Sequence, residues 1–262
     1  MSETTTYQPP KIPKTRVVTA ADIRGALRDG WSDFTHAPLY GLFFGAIYTV
    51  GGLLILAFLA VFDMPWMIIP IAVGFPLIGP FVAVGLYEVS RRRAAGEPIT
   101  WKAVLLVIFQ QRNRQLGWMA FIVLFIFWVW IYQVRLLLAI FLGFQSFASI
   151  GGFIEVITTT VDGLTFLAVG TIIGAFLAFV LYATTVITMP LLLERDIDLV
   201  SAMIVGFRAI SQSPAVMIGW AVIITVLTIL ALVPAFLGLL VVLPVLGHAT
   251  WHLYARIVEP NT

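Results

Sequence analysis

Few side chains in this sequence could do chemistry, and two histidines head them. His248 and His252 stand four residues apart in an apolar stretch, so a helix puts both on one face. Imidazole is a common transition-metal ligand, and such a pair would hold a metal ion or a haem iron. No further ligand accompanies the pair, however, and the one other histidine is His36. His252, with Trp251 and Tyr254 beside it, also fits an interfacial belt, where amphipathic rings favour the headgroup level. The expectation is therefore no metal and no cofactor. Glu88 follows next, in LYEVSRRR, one turn before three arginines. A carboxylate inside a bilayer is costly and often functional, but this one can pair with Arg91 or Arg92 at the interface.

Arg91, Arg92 and Arg93, with Lys102, Arg112 and Arg114, make a basic patch. Anionic lipids attract such residues by about 1 kcal/mol each near a membrane surface. The patch is read as facing lipid or a partner protein. Nucleic acid is not expected, because the basic residues sit against the bilayer. Arg135 is an isolated charge with Gln133 nearby. It either snorkels to the interface or, if its helix continues through LLLAIFLGF, needs a partner such as Glu155 or Asp162. No nucleophile elbow, zinc-protease motif, P-loop or dinucleotide fingerprint occurs. The absence of cysteine excludes disulfides and thiolate metal sites. No catalytic residue is assigned, and the chain is not expected to be an enzyme.

What holds these residues is greasy. Of the 262 residues, 61% are apolar and 11% charged, against about 25% charged in a soluble domain. Runs of 18 or more apolar residues can cross the roughly 30 Å hydrocarbon layer as helices, and the alternating segments of a spanning barrel do not appear. Six spans can be drawn, at about 38–62, 66–90, 114–135, 163–193, 215–234 and 236–256, with 136–157 a reentrant or surface-lying segment. Lysines and arginines divide 14 to 1 between the two sides, Arg135 being the exception. By the positive-inside rule both termini are cytoplasmic. Prolines interrupt the spans: Pro70, Pro76 and Pro80 in the second, Pro190 in the fourth and Pro244 in the sixth. Each removes a backbone donor and bends its helix, which shapes packing or, in transporters, a solute path. Gly170 and Gly174 form one GxxxG, a packing signal.

The chain also repeats itself. DIRGALRDGWSDFTHAP from Asp22 and DLVSAMIVGFRAISQSP from Asp198 share Asp, Ala, Gly and Pro in register, and each runs into an apolar stretch at its proline. Ile23, Ala26, Leu27, Gly30, Trp31 and Phe34 form one helical stripe, and such helices commonly lie in the headgroup layer. A diverged third copy runs from Thr100 through Ala103, Val104, Val107 and Ile108. PLIGPFVAVGLYEVSRR from Pro76 and PVLGHATWHLYARIV from Pro244 match at the unit ends. The expected fold is an all-α polytopic membrane protein with six transmembrane helices and two or three amphipathic interfacial helices. Its parts are a disordered cytoplasmic tail (1–18), unit 1 (19–97), a diverged unit 2 (98–195) and unit 3 (196–262).

With the repeat, GFPLIGPF, VGLYEVSRR and LPVLGHATWHLY in view, residues 18–258 resemble a bacterial family of integral membrane proteins catalogued as domain of unknown function 2189. The resemblance implies a multi-pass protein of the inner membrane and brings no activity or ligand. Some members carry a label relating them to cytochrome c oxidase subunit I. Three histidines are too few for the roughly six ligands of a haem–copper core, so that label points only to an accessory or assembly role beside a respiratory complex. The functional expectation is a non-enzymatic accessory, assembly or scaffold component that packs against membrane proteins and anionic lipids. The alternatives are a small-solute transporter or channel, and a redox protein using His248 and His252.

Overall fold

The computed structural model describes residues 12–60, 82–112, 115–143 and 150–260. Its elements are α1 (Ala20–His36), α2 (Pro38–Ala60), α3 (residues 82–94), α4 (Trp101–Arg112), α5 (Gln115–Leu142) and α6 (Ile150–Thr159). They continue as α7 (Val161–Thr185), α8 (Thr188–Glu194), α9 (Leu199–Gln212), α10 (Pro214–Leu232) and α11 (Leu239–Ile257). Among the described residues there is no strand, only an antiparallel bridge between Thr15 and Val258. Pro70, Pro76 and Pro80 lie outside the described residues, as does most of the expected second span.

Three of these helices are long and apolar enough to cross a bilayer: Gly117–Leu142, Val161–Glu194 and Pro214–Leu232. A fourth crossing arises if α1 and α2, bent by 100° at Ala37, count as one broken span. The sequence leads one to expect six. The difference falls on the second span and on α11, whose second half carries His248, Thr250, His252 and Arg256.

The chain ends constrain the parity of the crossings. Arg16 donates its backbone N–H to the Ile257 carbonyl at 2.9 Å, and Glu259 returns one to Lys14 at 3.0 Å. Val18, almost fully buried, donates to the Ser213 hydroxyl at 2.9 Å. Residues 14–18, expected to belong to a disordered tail, thus form a strap across the ends of α9 and α11. Two segments joined this way lie on one side of any membrane the chain spans, so the number of crossings is even.

The two amphipathic helices are built alike. Thr19 caps α1, its N–H and hydroxyl both reaching Asp22 at 2.9 Å, while Asp198 caps α9 by accepting from Ser201 N–H at 2.9 Å. Both helices stop one residue before a proline, at Ala37 (φ −128°, ψ 56°) and Ser213 (φ −138°, ψ 56°). Each proline then opens the next helix, where its missing N–H is harmless. Ala26 and Ala202 are both inaccessible, Gly30 and Gly206 are buried, and Phe34 and Ile210 face inward. Trp31, expected on the apolar stripe, is 53% exposed, and its counterpart Phe207 is 46% exposed. The apolar faces pack on protein: a Cβ at Gly30 would lie 2.6 Å from the Ala249 backbone N of α11, and one at Gly206 would lie 2.9 Å from Thr188 Oγ1 of α8.

The third span also differs from expectation. Helix α5 runs on to Leu142, because LLLAIFL keeps good helix formers going until Gly143, which takes φ +64° as a left-handed stop. At 28 residues it is about 42 Å long, more than a hydrocarbon layer requires. Arg135 therefore lies within the helix, exposed, as Glu155 and Asp162 also are. Beyond it Leu137, Leu142 and Phe166 form a separate small core with Phe153 and Ile157 of α6. Residues 150–159 are thus a helix folded back onto α7. Within the single span Val161–Glu194, α7 passes into α8 at Val186–Ile187 with both residues still in the right-handed helical region, and one helical bond is lost because Pro190 has no N–H for the Val186 carbonyl. Gly170 and Gly174 meet only Leu137 and the Trp130 ring at ordinary contact distance, so no close backbone approach forms there.

Candidate functional site

The polar residues of interest converge where α1, α3 and α11 meet. Asp33 is on the buried face of α1, three residues after Gly30, and only 2% exposed. Close approach at Gly30 brings its carboxylate against α11, where Oδ2 meets His252 Nε2 at 2.7 Å. Oδ1 accepts from Arg93 of α3 at 2.5 Å, and the same guanidinium donates to Ser32 Oγ at 3.0 Å. One turn from His252, His248 is wholly buried, with Nδ1 2.8 Å from Ser90 Oγ of α3. His248 Nε2 has no hydrogen-bond partner.

The electrostatics follow from this arrangement. Burial by itself would push Asp33 up. The His252 hydrogen bond and charge, the nearby Ser90 hydroxyl and Arg93 outweigh it and hold the carboxyl below the usual range. Asp29, one turn earlier, is also depressed: burial raises it, and Arg256 at 2.6 Å and Arg28 at 3.1 Å more than offset that. Arg256 is anchored as well to the His252 carbonyl at 2.9 Å.

Glu88 is 1% exposed and accepts from Arg91 at 2.7 and 2.9 Å and from Arg92 at 2.6 Å. Glu97 takes Arg91 at 3.1 Å and Arg92 at 3.3 Å. Arg91 is held above its ordinary value, first by the Glu88 hydrogen bond. The expected ion pair at Glu88 is present, but the expected basic patch is not free. Arg91, Arg92 and Arg93 are matched by Glu88, Glu97 and Asp33, so their formal charges cancel. Lys102 is exposed, and the side chains of Arg112 and Arg114 lie outside the described residues. An open cleft of about 610 Å³ lies beside Arg93, lined by His36–Tyr40 and Gly96–Ile99.

Of the proline candidates, Pro244 is buried inside α11 and Pro190 lies in the first turn of α8. His248 and His252 share a face as expected, but Ser90 and Asp33 occupy one nitrogen of each. Among the described residues no group of three or more His, Asp or Glu side chains could hold a metal. Asp33 was missed in the sequence. Its counterpart 176 residues on is Ala209, so the repeat itself marked it as a carboxylate on a face that is otherwise apolar.

Apolar spanning helices with paired charges at one end define a helical integral membrane protein. Residues 67–194, just under half of the chain, match the family described as Predicted integral membrane protein (DUF2189). That segment is shorter than the resemblance expected over residues 18–258. No curated protein and no solved structure matches the chain.

Proposed function

We propose that this protein works without catalysing a reaction, as an accessory, assembly or scaffold component of a membrane complex. The observation that carries the reading is how little its spans bury. Between 6% and 17% of the apolar window of each of the three spanning helices is covered by the rest of the chain. On α5 alone Trp118, Phe121, Phe125 and Tyr132 are each at least 59% exposed. Such faces meet lipid or other membrane proteins. The matching caps, breaks and burial of α1 and α9 support an internal repeat, and the even parity is compatible with four crossings as with six. The charge division favours cytoplasmic termini in an inner membrane. Purification of a tagged chain in mild detergent tests the role: a defined membrane partner is expected, and repeated recovery of a lone monomer contradicts it.

A second reading, a small-solute transporter or channel, is favoured by the buried Asp33–His252 and Ser90–His248 pairs, since ionisable groups packed among membrane helices often mark pathways. Solute flux in proteoliposomes separates it from the first. Neither reading needs haem or metal at His248 and His252, and a haem spectrum or bound metal in the purified protein would overturn that.

A further inference from the structure

The open cleft beside Arg93 lies where α1 breaks into α2, the helix that opens the fourth candidate crossing. One wall is the break itself, His36–Tyr40. The other is the loop after α3, where Gly96 takes φ +67° and turns the chain so that Glu97 comes back to Arg91 at 3.1 Å. The Tyr40 hydroxyl donates to the Ile99 carbonyl at 3.2 Å and ties the walls together. Tyr40 also packs on Trp101 with ring centroids 4.2 Å apart, and such amphipathic rings favour the headgroup level. From the cleft along α2, Leu39, Phe43, Val50 and Leu54 are each at least 43% exposed. They fall at i, i+4, i+11 and i+15, one face of the helix.

The cleft thus has an apolar flank open to lipid and a polar side with both signs of charge. Among the described residues Arg93 directs two of its five N–H donors to Asp33 and Ser32. Others remain for a phosphate oxygen, and the exposed His36 adds a ring donor. Glu97 is 40% exposed, and its hydrogen bond from Arg91 holds the carboxyl below the usual range, so it stays an anion able to accept further N–H bonds. Arg91, Arg92 and Arg93 are already matched by Glu88, Glu97 and Asp33. A net anion therefore meets no uncompensated charge here, whereas a ligand carrying one charge of each sign meets a partner for both.

We propose that this cleft binds a phospholipid with a phosphate–ammonium headgroup, the chemistry of phosphatidylethanolamine, its acyl chains lying along α2. The phosphate takes Arg93 and His36, and the primary ammonium donates to Glu97. A choline headgroup has no N–H to donate, and Tyr40 already covers the Trp101 ring that could otherwise receive it. A glycerol headgroup brings net negative charge and no cation for Glu97. The preference thus differs from the anionic lipids that the arginine run suggests. The site does not depend on the accessory role proposed above.

The test is native mass spectrometry of the full-length protein in detergent, supplied with phosphatidylethanolamine, phosphatidylcholine or phosphatidylglycerol of matched chains. Phosphatidylethanolamine should be retained about tenfold more than either of the others, the worth of one charge-assisted hydrogen bond at a partly exposed site. Glu97→Gln should bring the ethanolamine-to-choline ratio down toward one, and His36→Ala should lower retention of both alike. Lys102→Gln removes an exposed cation outside the cleft lining and should leave the ratio unchanged. Soluble phosphoethanolamine at the lipid's concentration should not displace it, since it lacks the chains that lie on α2. Four results overturn the proposal: no lipid retained, phosphatidylglycerol held more strongly, an ethanolamine preference that survives Glu97→Gln, or displacement by the soluble headgroup.

Discussion

Gly30→Ala is the sharpest perturbation of the α1–α11 contact. The added Cβ would lie 2.6 Å from Ala249 N, 2.9 Å from Ala249 Cα and 2.9 Å from Ala249 Cβ. Two of these three are backbone atoms in the middle of a helix, so no side-chain rotation relieves them. Restoring ordinary contact needs α1 to retreat by about 1 Å, which stretches the 2.7 Å Asp33–His252 and 2.6 Å Asp29–Arg256 pairs. Overpacking of this kind costs about 1–3 kcal/mol, and the alanine returns roughly 1 kcal/mol of helix propensity. The net loss is about 0–2 kcal/mol, up to roughly 8 °C in thermal midpoint for a chain of this size, and about 1–3 kcal/mol relative to a glycine-to-alanine change that meets nothing. Gly219→Ala, where nothing lies within 4 Å, is the control and should be neutral or stabilising. Gly206→Ala should fall between, since its nearest atom is the Thr188 hydroxyl at 2.9 Å. The assay is heating in detergent followed by size-exclusion chromatography. Gly30→Ala matching Gly219→Ala would refute the close approach and the helix seating built on it.

Other perturbations follow from the same contacts. Asp33→Ala strands Arg93 and His252 and should destabilise by about 2–4 kcal/mol, toward the low end because Arg93 is partly solvated; chemical denaturation measures it. Ser213→Ala removes the acceptor of the buried Val18 N–H and should cost about 1–2 kcal/mol by the same method. Asp22 is depressed to about 2, first by its Arg16 hydrogen bond. Because its folded value lies below its ordinary one, its contribution is complete above pH 4 and disappears as the pH falls toward 2. Asp22→Asn should therefore flatten the acid limb of a stability–pH curve and leave its shape above pH 5 unaltered. Glu88→Gln should lower the thermal midpoint, because Arg91 and Arg92 lose a buried carboxylate.

Elements that obey a single local rule were legible in the sequence. The stops of α1 and α9 before Pro38 and Pro214 and the shared face of His248 and His252 come from chain-local sterics and helical period. The length of α5 is not legible in the same way, because one charge, Arg135, marks an end to the apolar run while helix propensity carries the helix on to Gly143. The strap at residues 14–18 was invisible, since its bonds go to residues more than 190 positions away. The arginines looked like a free patch because charge counting ignores partners. Glu88 was in plain view, but Asp33 reaches Arg93 only after α1 folds against α3. The site was thus half legible: its histidines were found, and the carboxylate and hydroxyl that bond them come from other helices.

Side-specific labelling tests the central claim, an even-crossing membrane protein with both ends on the cytoplasmic side. The chain has no cysteine, so the single variants Thr15→Cys, Glu259→Cys and Val161→Cys give clean probes. With an impermeant maleimide on intact cells, the Val161→Cys variant should label. The Thr15→Cys and Glu259→Cys variants should react only after the membrane is opened. Labelling of one terminus from outside while the other stays protected would contradict the account.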